Sequence, residues 1–210
     1  MRFDNIPLSP YLNIILDIIR SGIKECSSKL IISQNEGLKN QEITNTLNTI
    51  STINEKVWIG VNNENINKGR KAREDIYFYL NDDNHTRIFY IEGKRLPKYN
   101  TKSKEEYIFG VNSHGNPSGG IERFKKGIHG NPHRIFNNGL IAYIENESFE
   151  FWFQKINNTI QEKYSYEERI IREKDFSNEC TSSHPYECEA NADSFILHHF
   201  WIDLTEKADK

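Results

Sequence analysis

Cysteine is scarce in this 210-residue chain. Cys26, Cys180 and Cys188 are too few for a disulfide framework, so a reducing, cytoplasmic setting is the default expectation. No stretch approaches the roughly 20 apolar residues that a membrane helix requires. The amino-terminal MRFDNIPLSPYLN has an early aspartate and no apolar run suited to a signal peptide. A surplus of basic charge is also missing. Lys and Arg total 27 against 30 Asp and Glu, for a formal net charge of −3, which argues against a protein that coats DNA along its whole surface. A basic groove confined to one side is still compatible with that balance. No internal repeat is visible. The length suits one domain with a substantial core, spanning 1–210.

What is present centres on residues 75–94, DIYFYLNDDNHTRIFYIEGK. Two runs rich in aromatic and β-branched residues, 76–80 and 86–91, flank an Asn/Asp cluster, the pattern of a β-hairpin. With Asp83-Asn84 as a two-residue turn, facing residues sum to 167. Asp75 then faces Glu92, Tyr77 faces Tyr90 and Tyr79 faces Ile88. Glu92 and Lys94, two apart on a strand, project from the same face. The hairpin therefore gathers two carboxylates and an ammonium at one end of a sheet. Hard divalent cations favour oxygen ligands, and Mg²⁺ is usually held by one or two carboxylates with water and substrate phosphate. A lysine beside such a metal can orient water or offset charge developing on phosphate.

Asp75 followed by Glu92-Gly93-Lys94 resembles the D…E-x-K signature of the PD-(D/E)XK, or restriction-endonuclease-like, nucleases. Glu74 stands where the usual proline would precede the aspartate. The resemblance implies Mg²⁺ as cofactor, with Mn²⁺ as a substitute. It also implies Asp75 and Glu92 as metal ligands, the Gly93 carbonyl as a further ligand, and Lys94 in catalysis. Such nucleases commonly carry a helix before the core strands whose glutamate reaches the metal. The segment QEITNTL resembles it, with Glu42 as the candidate and nearby Glu36 as the alternative.

The remaining elements fit around this centre. A helix is expected from Pro10 to about Lys24, with Leu12, Ile15, Leu16, Ile19 and Ile23 as its apolar stripe. A second is expected from about Asn40 to Asn54, and 57–61 (VWIGV) reads as a strand. The loop 62–73 holds Lys68, Arg70, Lys71 and Arg73, and a second loop after Lys94 holds Arg95, Lys98, Lys102 and Lys104. Two basic loops flanking a carboxylate site are suited to phosphate, with Arg70, Lys71, Arg73 and Arg95 as the nucleic-acid contacts. A short helix from about Ser118 to Lys126 would bury Ile121 and Phe124 and expose Glu122, Arg123, Lys125 and Lys126. By resemblance Arg123 would contact a phosphate or orient the site. His129 and His133 read as surface residues of a Gly/Asn/Pro-rich loop.

Residues 139–144 form an apolar strand, and about 147–163 an amphipathic helix with Phe149, Trp152, Phe153, Ile156 and Ile160 inward. The charged stretch 164–179 reads as a possible continuation of helix, and 194–204 as a terminal strand within a closing hairpin. Its His198, Phe200 and Ile202 face one way, and Leu197, His199 and Trp201 the other. Cys180, His184 and Cys188 lack the C-x2-C pairs of a zinc site.

This order matches the α/β restriction-endonuclease-like α-β-β-β-α-β core, a mixed sheet flanked by helices. The core spans about 40–145, with the helix 10–24 and residues 147–204 as additions. The function implied is hydrolysis of nucleic-acid phosphodiesters, DNA ahead of RNA, in a bacterial anti-phage or restriction-type setting. A helicase or ATPase is a possible partner protein, and no membrane is involved. Two alternatives stay open: a catalytically silent nuclease-like module that binds nucleic acid or a protein, and a phosphodiesterase acting on a small nucleotide.

Overall fold

The computed structural model describes residues 11–56, 58–63, 75–96, 103–130, 135–188 and 193–207. Helix α1 spans Leu12–Cys26 and α2 spans Glu36–Ile53. Helix α2 begins earlier than its apolar periodicity suggests, because the Asn35 side chain caps it by accepting from the Leu38 N–H at 2.9 Å. Strands β1 (Ile59–Asn63), β2 (Ile76–Leu80) and β3 (Arg87–Leu96) form an antiparallel meander. Short helices α3 (Ser103–Ile108) and α4 (Gly120–Lys125) lead to β4 (Asn137–Ile144), which runs parallel to β3 and is buried along its whole length. Helix α5 (Phe149–Lys163) precedes the closing strands β5 (Ile171–Arg172), β6 (Glu179–Pro185) and β7 (Ser194–Asp203).

The result is a mixed seven-stranded sheet in the order β1-β2-β3-β4-β7-β6-β5, flanked by helices. Alternation along the strands sorts its side chains into two cores. Phe89, Ile91, Ile141, Tyr143, Phe200 and Ile202 pack with α1 and α2, whereas Tyr90, Leu140, Ala142, Leu197 and Trp201 pack with α3, α4 and α5. The two faces expected for the terminal strand are therefore the observed ones. No helix among the described residues is long and apolar enough to cross a membrane.

Three expectations are corrected. The hairpin register sums to 167 from Ile76↔Ile91 to Phe78↔Phe89, but Tyr79 pairs with Arg87, not Ile88. The cause lies in the loop. The His85 N–H donates to the Asp82 carbonyl across Asp83-Asn84, and His85 itself takes φ 47°, so the connection is longer than two residues. Ile88 is accommodated as a bulge. The stretch before Glu106 contains helix α3, which carries Tyr107 and Ile108 into the core. Residues 164–179 do not continue α5. A 3₁₀ turn at Tyr166–Glu168 and the two-residue β5 occupy this stretch, and β6 begins at Glu179.

Candidate functional site

Asp75 lies one residue ahead of β2 in the pairing, and its Oδ2 accepts the Gly93 N–H at 2.8 Å. This hydrogen bond ties the start of β2 to the middle of the Glu92-Gly93-Lys94 triplet. Glu92 is fully buried, and its Oε1 accepts from Lys94 Nζ and from Arg123 Nη1, each at 2.7 Å. His129 Nδ1 stands 3.0 Å from Glu92 Oε2 but out of line for a hydrogen bond. From the first turn of α2, Glu36 brings Oε1 to 3.7 Å from Lys94 Nζ, while its Oε2 accepts the Arg95 N–H at 3.2 Å. Four segments of the chain thus meet at one cluster: the start of α2, the start of β2, the middle of β3, and α4 with its following turn.

Neighbouring cations divide the two central carboxylates, which burial alone would raise together. At Asp75, burial and the adjacent Glu92 raise the pKa well above the carboxylate range, against the pull of Lys94. Burial acts on Glu92 in the same direction, but His129, Lys94 and Arg123 outweigh it and hold Glu92 ionised. At Lys94, burial is in turn outweighed by Glu92, Glu36 and Asp75, which raise its pKa. Burial raises Glu36 as well, partly offset by Lys94.

The helix carboxylate in the cluster is Glu36. Glu42 lies further along α2, half-buried, where its charge helps to raise the Cys26 thiol to about 11, after the effect of burial. Arg95 is not gathered in either. Its side chain leaves the opposite face of β3 from Lys94 and forks onto Glu145 with two 2.7 Å hydrogen bonds, beside the buried Lys39–Glu145 pair at 2.8 Å. Arg123 reaches Glu92 as described. Arg70, Lys71 and Arg73 lie outside the described residues, as do Lys68, Lys98, Lys102 and His133.

His129 is the residue that the surface reading of its loop missed. It is fully buried, edge-on to Phe124. Gly127 and Gly130, at φ 62° and 77°, bracket it and fold the chain back over the sheet. Paired glycines around a histidine were the available sign. Gly93 also has a specific cause: Asn40 of α2 presses against it, where a Cβ would lie 2.2 Å from Asn40 Oδ1.

Hard oxygen donors, a buried Glu92 Oε2 without a hydrogen-bond partner among the described residues, and a second carboxylate whose negative charge is under-compensated all suit Mg²⁺ or Mn²⁺. Among the described residues, however, no three His, Cys, Asp or Glu side chains are grouped as a ready metal cage.

A second polar cluster lies behind α4. Lys125, expected on the exposed side of that helix, is buried and donates to Glu168 Oε2 at 2.5 Å. From there a buried chain of hydrogen bonds runs to His184 (2.8 Å), Ser182 (2.7 Å), His199 (2.7 Å), Tyr107 (2.8 Å) and Trp201 (3.0 Å). Its direction follows from its ends. The Trp201 N–H can only donate and the Glu168 carboxylate accepts, so Tyr107 gives its proton to His199 Nδ1, His199 Nε2–H gives to Ser182, Ser182 gives to His184 Nε2, and His184 Nδ1–H gives to Glu168. Both ring nitrogens of His184 are thereby engaged, which leaves no lone pair for the Cys180–His184–Cys188 spacing to offer a metal.

Fold and site together define a mixed α/β protein with a buried carboxylate–lysine–arginine cluster at the last strand of an antiparallel meander, β3. Neither a family model, nor a curated protein, nor a solved structure matches the chain.

Proposed function

We propose that this chain is a metal-dependent nuclease with a restriction-endonuclease-like core, hydrolysing phosphodiesters of nucleic acid, with DNA as the first substrate to test. The observation that carries the reading is the 2.8 Å hydrogen bond from Gly93 N–H to Asp75, which joins the aspartate to the Glu92–Lys94 pair across the hairpin. The order α2-β1-β2-β3-α3-α4-β4, with β4 parallel to β3, supports it as the α-β-β-β-α-β arrangement the resemblance implies, the crossover from β3 to β4 carrying two short helices. Asp75 and Glu92 would hold Mg²⁺, with the Gly93 carbonyl as a further ligand. The bound ion would supply a water of lowered pKa and a Lewis acid for the phosphoryl oxygens. Lys94 would orient that water and offset negative charge on the phosphate, while Glu36 would steady Lys94 from the opposite side.

A second reading, a catalytically silent module that binds nucleic acid or a protein partner, is favoured by one observation. Glu92 is already surrounded by Lys94, Arg123 and His129. Incubating the purified protein with plasmid and single-stranded DNA in Mg²⁺, Mn²⁺ or EDTA separates the two. Cutting that requires metal and disappears in Asp75→Asn supports the nuclease; nucleic-acid binding without cutting in either metal supports the silent module.

A further inference from the structure

The two cations on Glu92 Oε1 are attached in different ways. Lys94 sits two residues along the same strand, so its approach to Glu92 is fixed by β3 itself. Arg123 comes from α4, a six-residue helix anchored elsewhere. Ile121 and Phe124 are buried in the core, and Lys125 is held by Glu168 at 2.5 Å. That anchoring does not depend on where the Arg123 guanidinium points. Arg123 also retains more side-chain exposure, 18%, than Lys94 at 11% or Glu92 at 1%, so of the two cations on Oε1 it is the more open to solvent. A divalent cation binding Glu92 would compete with it for the lone pairs of Oε1, where Lys94 already takes a share.

We infer that the Arg123 guanidinium and a divalent cation are alternative partners of Glu92. Arg123 holds the carboxylate in the metal-free protein and leaves it when the metal binds. The inference rests on the metal-site reading of Asp75 and Glu92. In it Arg123 shares with Lys94 the neutralisation of a buried carboxylate and sets how tightly the metal is held.

Calorimetric titration with MnCl₂ tests the competition on wild type, Arg123→Gln, Glu92→Gln and Lys126→Gln. Lys126 is a cation of the same helical segment, paired with Glu122 on the surface, and serves as the control for general electrostatics. Arg123→Gln should bind Mn²⁺ roughly tenfold more tightly than wild type, as expected for removal of a competing like charge. Lys126→Gln should leave the affinity unchanged. A second measurement uses the unmodified protein and does not depend on that variant folding. Phenylglyoxal labelling mapped by mass spectrometry should show Arg123 reacting faster in saturating Mn²⁺ than without metal, with Arg20, paired to Glu179 at 2.9 Å, as the internal reference. Mn²⁺ binding that is lost in Glu92→Gln but equal or weaker in Arg123→Gln overturns the exchange and leaves the metal site standing. Arg123 labelling that is unchanged or slowed by Mn²⁺ does the same. No Mn²⁺ binding in either wild type or Arg123→Gln overturns the exchange and the metal site together.

Discussion

Asn40 of α2 lies so close over Gly93 of β3 that a Cβ there would sit 2.2 Å from its Oδ1 and 2.9 Å from its Cγ. Asn40 cannot easily withdraw. It is buried, and its Oδ1 accepts from the Tyr143 hydroxyl at 2.6 Å. The glycine between Glu92 and Lys94 is thus set by helix packing on the far face of the strand. Gly93→Ala should destabilise the protein by about 1–3 kcal/mol, the usual cost of overpacking. Thermal or urea unfolding checks it, and a variant as stable as wild type would show that Asn40 turns aside freely.

Asp75 and Glu92 should respond to neutralisation with opposite signs. The Asp75 pKa is raised in the folded protein, so its contribution to stability is complete below the unfolded value near 3.9 and is lost as pH rises through the folded value. At neutral pH the folded protein must either bury the Asp75 charge or take up a proton to neutralise it, so the carboxylate opposes folding, and Asp75→Asn should raise Tm in metal-free buffer by a few degrees, a gain that vanishes in acid. The Glu92 pKa is lowered, so its contribution is present above about 4.3 and is lost only as pH falls through the folded value. Glu92→Gln should cost about 3–5 kcal/mol at neutral pH, as breaking a buried ion pair does. Tm measured from pH 3 to pH 8 for both variants decides it. Shifts of the same sign would mean that the two carboxylates are not divided as described.

Most of the meander was legible because aromatic and β-branched runs act locally. Strand faces and the meeting of Asp75, Glu92 and Lys94 follow from period-two alternation, and the register sum of 167 holds from Ile76 to Phe78 but fails at Tyr79, because the loop is longer than the two-residue turn expected. The residues that escaped were placed by tertiary packing or by caps. Glu36 enters the site because Asn35 starts α2 before its apolar stripe begins. Lys125 and His129 are polar residues in polar stretches, and their burial rests on partners distant in sequence, Glu168 and Glu187 for Lys125 and Glu92 for His129. Arg95 reads as a basic-loop residue until Glu145, fifty residues later, claims its guanidinium.

The three histidines of β6 and β7 should make the fold sensitive to acid. Burial lowers the pKa of His198 to about 4, and that of His199 well below the ordinary value. For His184, burial outweighs the pull of Glu168, so its pKa is lowered too. The unfolded chain takes up protons on these residues below about pH 6.5, and the folded protein does not. Stability present above that pH is therefore lost as pH falls towards 4, by about 1.4 kcal/mol per pH unit for each excluded proton. Nitrogen-15 NMR should show neutral rings at pH 7.5, with the proton on Nδ1 of His184 and on Nε2 of His199. Ser182→Ala should break the order of the chain by removing the hydroxyl that links the two rings. Imidazolium at either position at pH 7.5, or the opposite tautomers, would overturn the direction assigned to the relay.

Lys94 allows the nuclease reading to be tested at a single side chain. It is buried beside Glu92 at 2.7 Å and reached by Glu36 at 3.7 Å, so its ammonium is fixed in place before any substrate arrives. A preorganised cation of this kind stabilises charge that develops on phosphoryl oxygens without reorganising during the reaction. It does not help to hold a metal, because like charges repel. Lys94→Ala should therefore bind Mn²⁺ at least as tightly as wild type, yet cut DNA about 10² times more slowly or worse. Glu36→Gln should slow cutting more mildly by releasing one side of Lys94. Glu42→Gln, whose carboxylate lies towards Cys26 and not Lys94, should leave the rate unchanged. Single-turnover cleavage at saturating Mg²⁺ compares the three. If Lys94→Ala cuts as fast as wild type, Lys94 is a structural counter-ion for Glu92 and the nuclease reading loses its central residue. If Glu42→Gln slows cutting while Glu36→Gln does not, the assignment of the helix carboxylate to Glu36 is reversed.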